Sequence, residues 1–264
     1  MFFPNRKSMR FTVYFILFLS IAWNGYSQPN TRAVSRQFND GEKIKYELYY
    51  GPLTGGYTTG TLKKERIENK DVYHAVMIAQ SAGLADFLYS IKDIYESYFD
   101  AVNGLPYSSV RNVQEGSYKQ LINVQFDHAK NQLISSKSGL HKVPPSCHDI
   151  LSAFYAFRSL NYNTLKDGDV IIYQTYFGDE MFQLKIRFKG KDVVKTGLGK
   201  ISCFKFAPVT EVGRAFATED DMTIWISDDE NHVPIRVKLN LRVGSIKCDL
   251  IEYSNLINDL KKLP

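Results

Sequence analysis

The chain has 264 residues, 44% hydrophobic and 23% charged, with 17 Gly and 9 Pro; such a composition excludes a disordered chain, a collagen or a disulfide-dense miniprotein. Aromatic residues make up 14% of it, 17 Tyr and 17 Phe among them, a load that favours strands and apolar interiors over helical bundles. The net charge of +5 is small and comes without any Lys/Arg tract, so the overall charge gives no electrostatic footprint for nucleic acid or for an anionic membrane.

Residues 1–27 have the order of a secretory signal peptide. Arg6, Lys7 and Arg10 precede an apolar run of 13 residues from Phe11 to Trp23, and Gly25-Tyr26-Ser27 forms a small-x-small cleavage site before Gln28. A spanning helix needs roughly 20 apolar residues, so a cleaved signal is the expectation. No Cys follows the run to carry a lipid anchor. Taking the three basic residues of this segment from a net charge of +5 leaves +2, so the basic balance belongs mostly to the signal. The expected product is an exported, periplasmic or secreted protein of residues 28–264, a single domain with no membrane-spanning segment, and Gly139 to Pro145 is its one candidate seam.

In the mature chain the dominant pattern is two-residue alternation. It begins with Ile44, Tyr46, Leu48 and Tyr50 set against Lys43, Lys45 and Glu47. Further strands are predicted at about 57–67, 72–81, 93–100, 107–113, 118–126, 132–136 and 170–177. Phe182, Leu184, Ile186 and Phe188 then alternate with Gln183, Lys185, Arg187 and Lys189, and strands follow at 201–207 and 222–227. Val233 to Val243 alternates throughout, and a last strand covers 245–253. Turn signals separate the segments, among them Asn103-Gly104-Leu105-Pro106, Glu115-Gly116, Gly190 and Asp228-Asp229-Glu230-Asn231. Roughly a dozen such strands without βαβ alternation predict an all-β, mainly antiparallel fold, a strongly curved meander or half-open barrel.

One segment breaks the period. Ile150, Phe154 and Phe157 recur at helical spacing after Pro144-Pro145-Ser146-Cys147-His148-Asp149, predicting a covering helix with Ser146 as its N-cap and Asp149 completing a capping pair. Leu84 to Tyr89 reads as a shorter helical turn.

The chemical motifs are weak. There is no G-x-S-x-G nucleophile elbow, and Gly197-Leu198-Gly199-Lys200 lacks the spacing and the Ser or Thr of a phosphate loop, so it reads as a hairpin. His141, Cys147, His148 and Asp149 fit no zinc spacing. Glu219, Asp220 and Asp221 are separated from Asp228, Asp229 and Glu230 by a strand about 20 Å long, too far to share one cation. Cys147, Cys203 and Cys248 are an odd number for an oxidising compartment and read as small buried apolar residues, although Cys203 and Cys248 fall in strands that could be neighbours. No catalytic residue, metal or cofactor is predicted. The aromatic load leaves one candidate site: Tyr46, Tyr50, Phe87, Tyr95, Phe99, Phe154, Phe157 and Trp225 either line a ligand cavity between curved sheet and helix or fill it.

Several motifs in order carry a family resemblance. They are Phe38-x-x-Gly41-Glu42-x-Ile44-x-Tyr46, Tyr95-x-x-Tyr98-x-Asp100 before Gly104-Leu105-Pro106, Asp149-x-Leu151-Ser152-Ala153-Phe154-Tyr155-x-x-Arg158, Trp225-x-Ser227-Asp228-Asp229 with Pro234, and Val243-Gly244-Ser245 ahead of Asp249-Leu250. Over about residues 36–254 the chain resembles the exported bacterial family called domain of unknown function 3108 (DUF3108). The resemblance implies a cell-envelope protein and brings no catalytic residues. Long hairpins with a covering helix also look like the half-barrels of periplasmic lipoprotein carriers, by analogy of fold alone. The leading expectation is a non-enzymatic protein that binds an acyl chain or other hydrophobic envelope component in the concave sheet, with the helix at 148–160 as a lid. The alternative is a structural or protein-interaction module of envelope assembly; a hydrolase comes third.

Overall fold

The computed structural model describes residues 38–209, 218, 221–241 and 243–264. The predicted signal peptide and the acidic residues Glu219 and Asp220 lie outside the described residues.

Alternation becomes strand wherever one side of the chain can be kept dry. In β1 (Glu42–Tyr50), Ile44 and Tyr46 are buried while Lys43 and Lys45 face outward. Hairpins lead through β2 (Leu53–Ile67), β3 (Lys70–Ser81), the short helix α1 (Gly83–Leu88), β4 (Lys92–Asp100), β5 (Pro106–Glu115), β6 (Tyr118–Asp127), β7 (Gln132–Ser135) and β8 (Gly139–Lys142). After helix α2 (Ile150–Arg158) and a 3-10 turn, a second meander follows. It comprises β9 (Val170–Phe177), β10 (Glu180–Thr196), β11 (Gly199–Pro208), β12 (Met222–Ser227), β13 (Pro234–Asn240) and β14 (Ser245–Ser254), and β15 (Lys262–Leu263) pairs with the start of β11.

All these strands form one antiparallel sheet. Its order runs β8-β7-β6-β5-β4-β3-β2-β1-β14-β13-β12-β11-β10-β9. Chain start and chain end therefore meet in the middle, where β1 pairs with β14 from Lys43↔Ser254 to Tyr50↔Ile246, and the outermost strands β8 and β9 are the two flanking α2. Fourteen strands make the main path, against the dozen expected. The difference includes β8, formed by the residues expected as a loop seam. Gly190 was expected to turn the chain, but β10 runs on to Thr196; Gly190, at φ +82°, sits in a bulge between Phe188 and Lys191. A left-handed glycine accommodates an inserted residue as readily as a turn, and neighbouring strands select between them.

The sheet curls around α2. Leu151, Ser152, Ala153, Tyr155, Phe157 and Arg158 are all buried, so the helix is enclosed on nearly every side and lies inside the curved sheet where a lid over it was expected. Its N-cap is Asp149. The carboxylate accepts hydrogen bonds from Leu151 N (2.8 Å) and Ser152 N (3.1 Å), and the backbone N–H of Asp149 donates to Ser152 Oγ (3.1 Å), a capping box. Ser146, the expected cap, lies in the left-handed region at φ +56°. The prolines before it favour extended backbone, and they place the helix start three residues later than the hydroxyl alone suggests.

Candidate functional site

The expected ligand cavity is occupied by the protein itself. Ala153 and Phe157 of α2 pack with Phe188, Phe204 and Phe206, Leu151 and Tyr155 with Phe38, Tyr73 and Phe99, and Phe154 with the cluster around Ile44, Tyr46 and Leu250. The helix therefore joins three apolar clusters. At its end, Arg158 is fully buried and makes a bidentate pair with Glu42 (2.6 and 2.9 Å), donates to the carbonyls of Asn231 and His232 (3.1 Å each), and lies 4.8 Å from the centroid of the Phe38 ring. Burial works against its charge, yet the Glu42 carboxylate raises the guanidinium pKa above its ordinary value.

Where the ends of the sheet approach, a cleft of about 30 Å³ is lined by Tyr95, Arg111, Ile122, Asp149, Tyr176 and Phe177. That space admits no more than about two water molecules, whereas a pocket for a small organic ligand has several hundred Å³. Among the described residues no three His, Cys, Asp or Glu side chains are arranged to hold a metal ion. The three thiols are free and buried, and burial raises each pKa to about 12, which keeps them from acting as thiolates.

The eight predicted site residues separate accordingly. Tyr46, Phe99 and Phe157 are buried, and Tyr95 and Phe154 are half-buried against the same clusters. Trp225 is half-buried and donates its indole N–H to Asp192 Oδ2 (3.0 Å). Tyr50 and Phe87 are 44% and 86% exposed, and they belong to a different feature.

Because neighbouring strands alternate in direction, the β1–β2, β5–β6 and β13–β14 turns and the α1 connection all lie at one end of the sheet. Contacts join them into a rim. Tyr50 Oη donates to Val243 O (3.2 Å), Ala82 N to Gly55 O (3.1 Å) and Gly116 N to Ser90 O (2.8 Å). Gly244, at φ +73°, leaves the space that the Tyr50 ring fills, and a Cβ there would fall on the ring. Among polar residues such as Asp86 and Lys119, the rim exposes large apolar side chains. Leu84, Phe87 and Leu88 are 70%, 86% and 77% exposed on a helix with no buried residue, and Leu53, Tyr118 and Val243 are exposed at the turns of the same end. Leu53, Leu84, Leu88, Tyr118 and Val243 were not anticipated. Their signal in the sequence is large apolar side chains within turns and in a six-residue helix too short to bury a face.

The fold and its filled interior define an antiparallel, barrel-like scaffold with an internal helix and an exposed apolar rim. The chain belongs to the family described as Protein of unknown function (DUF3108), whose model matches residues 45–251. Its fold is similar to that of a β-barrel-like protein of the DUF1849 family from Brucella abortus, with a TM-score of 0.56 at 8% identity over 83% of this chain and 99% of that one. Lower similarity is found to a DUF1089 family protein from Pseudomonas aeruginosa (TM-score 0.31, 12% identity, 77% and 92% covered). The hypothetical protein CT021 from Chlamydia trachomatis (TM-score 0.36, 9% identity, 89% and 99% covered) is comparable. No curated protein matches the chain.

Proposed function

We propose that this protein is a non-enzymatic, exported binding protein that attaches to the lipid surface of the cell envelope through its apolar rim. The observation that supports it is the exposure of Leu84, Phe87 and Leu88 together on α1, with Leu53, Tyr50 and Val243 exposed at the turns of the same end. Three large apolar side chains exposed on one six-residue helix exceed ordinary surface scatter and mark a candidate contact site. We assign the lipid reading to the rim because α2 packs against three apolar clusters within the sheet.

The flanks of the sheet favour attachment over spanning. Outward positions carry Lys43, Lys45, Lys63 and Arg236, while inward ones carry Ile44, Leu62 and Leu250, the reverse of a lipid-embedded barrel. Among the described residues no helix is long and apolar enough to cross a membrane. Burying the three α1 side chains contributes about 5 kcal/mol, which corresponds to roughly submillimolar binding, the reversible range of a peripheral protein.

Flotation with vesicles of neutral phosphatidylcholine tests the proposal. The wild type floats with the vesicles; the combined variant Leu84→Ser, Phe87→Ser, Leu88→Ser stays in the soluble fraction with an unchanged urea midpoint, since none of the three side chains is buried. Wild type that remains soluble, or a triple variant that floats equally well, refutes it.

A further inference from the structure

Immediately below the rim the sheet carries two like charges face to face. Lys238 on β13 and Lys247 on β14 are direct cross-strand partners, two positions from the last ladder pair, Asn240↔Ser245. Both point outward, since the inward neighbours are Ile235 and Cys248. Like charges in this register destabilise a sheet unless a counter-charge is supplied.

Asp249, on the same face of β14 two positions from Lys247, supplies none. Both oxygens of Asp249 are taken by Arg236 Nε and Nη2 (2.5 Å each), and Tyr49 Oη donates to Oδ2 (2.7 Å). Lys247 Nζ instead lies 5.8 Å from the centroid of the Tyr49 ring, next in sequence to Tyr50 on the rim. Among the described residues neither lysine pairs with a carboxylate.

We infer that Lys238 and Lys247 form a binding site for the phosphate of an anionic lipid headgroup, making the rim selective for negatively charged membrane surfaces. This rests on the rim reading above. Two residues of strand place the pair about 7 Å below the end of the ladder, comparable to the depth of one headgroup layer. With Val243, Tyr50 and α1 at the acyl boundary, the ammonium groups stand at phosphate level while their methylene stems cover the sheet.

The experiment compares partitioning of the intact protein onto phosphatidylcholine vesicles and onto vesicles containing one-third phosphatidylglycerol, at low salt. Wild type should prefer the anionic vesicles by about 30-fold, and the preference should shrink in high salt. Lys238→Gln with Lys247→Gln should lower anionic binding to the neutral value and leave neutral binding unchanged. Lys247→Glu should also abolish the preference while raising the melting temperature, because opposite charges then face each other; this keeps the test independent of folding. A double variant that retains the preference overturns the inference. Wild type that binds both vesicles equally overturns it while leaving the rim intact, and wild type that binds neither removes the rim reading and this inference together.

Discussion

His148 stands at the foot of α2, buried, with Nδ1 3.2 Å from Ser152 Oγ and its ring edge-on to Tyr173 at 5.6 Å. Burial, with a smaller contribution from His128, lowers its pKa from 6.5 to about 4. The folded protein therefore binds fewer protons than the unfolded chain between these values. The stability held by the neutral ring is complete above about pH 6.5 and is lost as the pH falls toward 4, by on the order of 3 kcal/mol. Asp149 shifts the other way. Burial raises its carboxyl pKa despite hydrogen bonds from Ser97 and the helix N-terminus, so its contribution is present at low pH and fades as the pH rises. The two are separated by difference: urea denaturation at pH 7 and pH 4.5 should show a smaller acid loss in His148→Asn than in wild type, and identical losses would remove His148 as the cause. That a histidine would fall in this segment was plain from the chain, but its burial was not, because the Thr175 pairing that encloses it joins residues remote in sequence.

At the scale of elements, α2 is tethered at both ends. Asp149 satisfies its first N–H groups, and Arg158 locks its last turn to Glu42 of β1 and to the loop carbonyls before β13. Several of the residues carrying the family resemblance converge here: Phe38, Glu42, Asp149, Tyr155 and Arg158 are all buried, with Phe38 and Tyr155 edge to face at 4.9 Å. These motif residues build the interior. Glu42→Gln leaves the Arg158 charge buried without a counter-charge and should cost about 3–5 kcal/mol of unfolding free energy, whereas Glu42→Leu combined with Arg158→Met should recover most of it. Denaturant melts of the single and double variants decide, and a single variant as stable as wild type would show that the pair does not hold the helix. The helix itself was legible from the spacing of Ile150, Phe154 and Phe157. Its direction of burial was not, since an apolar stripe that fits a lid fits an internal strut equally well.

The whole molecule depends on how the sheet ends meet. The tip of the β9–β10 hairpin reaches the β7–β8 turn, where Asp179 Oδ1 accepts hydrogen bonds from Ser135 Oγ (2.6 Å), Ser138 Oγ (2.7 Å) and Tyr176 Oη (2.7 Å). Burial pushes this carboxyl up, but the hydroxyl donors and Lys137 hold its pKa down at about 2. Phe177 beside it packs on Tyr95 at 5.8 Å and under Arg111 at 5.5 Å. Asp179→Ala removes the shared acceptor and should destabilise the fold by about 2 kcal/mol, with amide exchange accelerated in β7 and β8 ahead of the central strands. Asp179→Asn, which tolerates the φ of +76° at this position, should be milder. Uniform acceleration across the sheet would show that the ends are not clasped locally.

Alternation of apolar and charged residues along the chain determined the strands, their antiparallel class and the wet outer face, because a pleated strand sends successive side chains to opposite sides whatever surrounds it. Only the tertiary structure decided that α2 fills the interior, that β1 closes onto β14, and that Tyr50 and Phe87 stand on the rim while Phe99 and Phe157 are enclosed. Each of these outcomes depends on contacts between segments distant in sequence, and a local period carries no information about them.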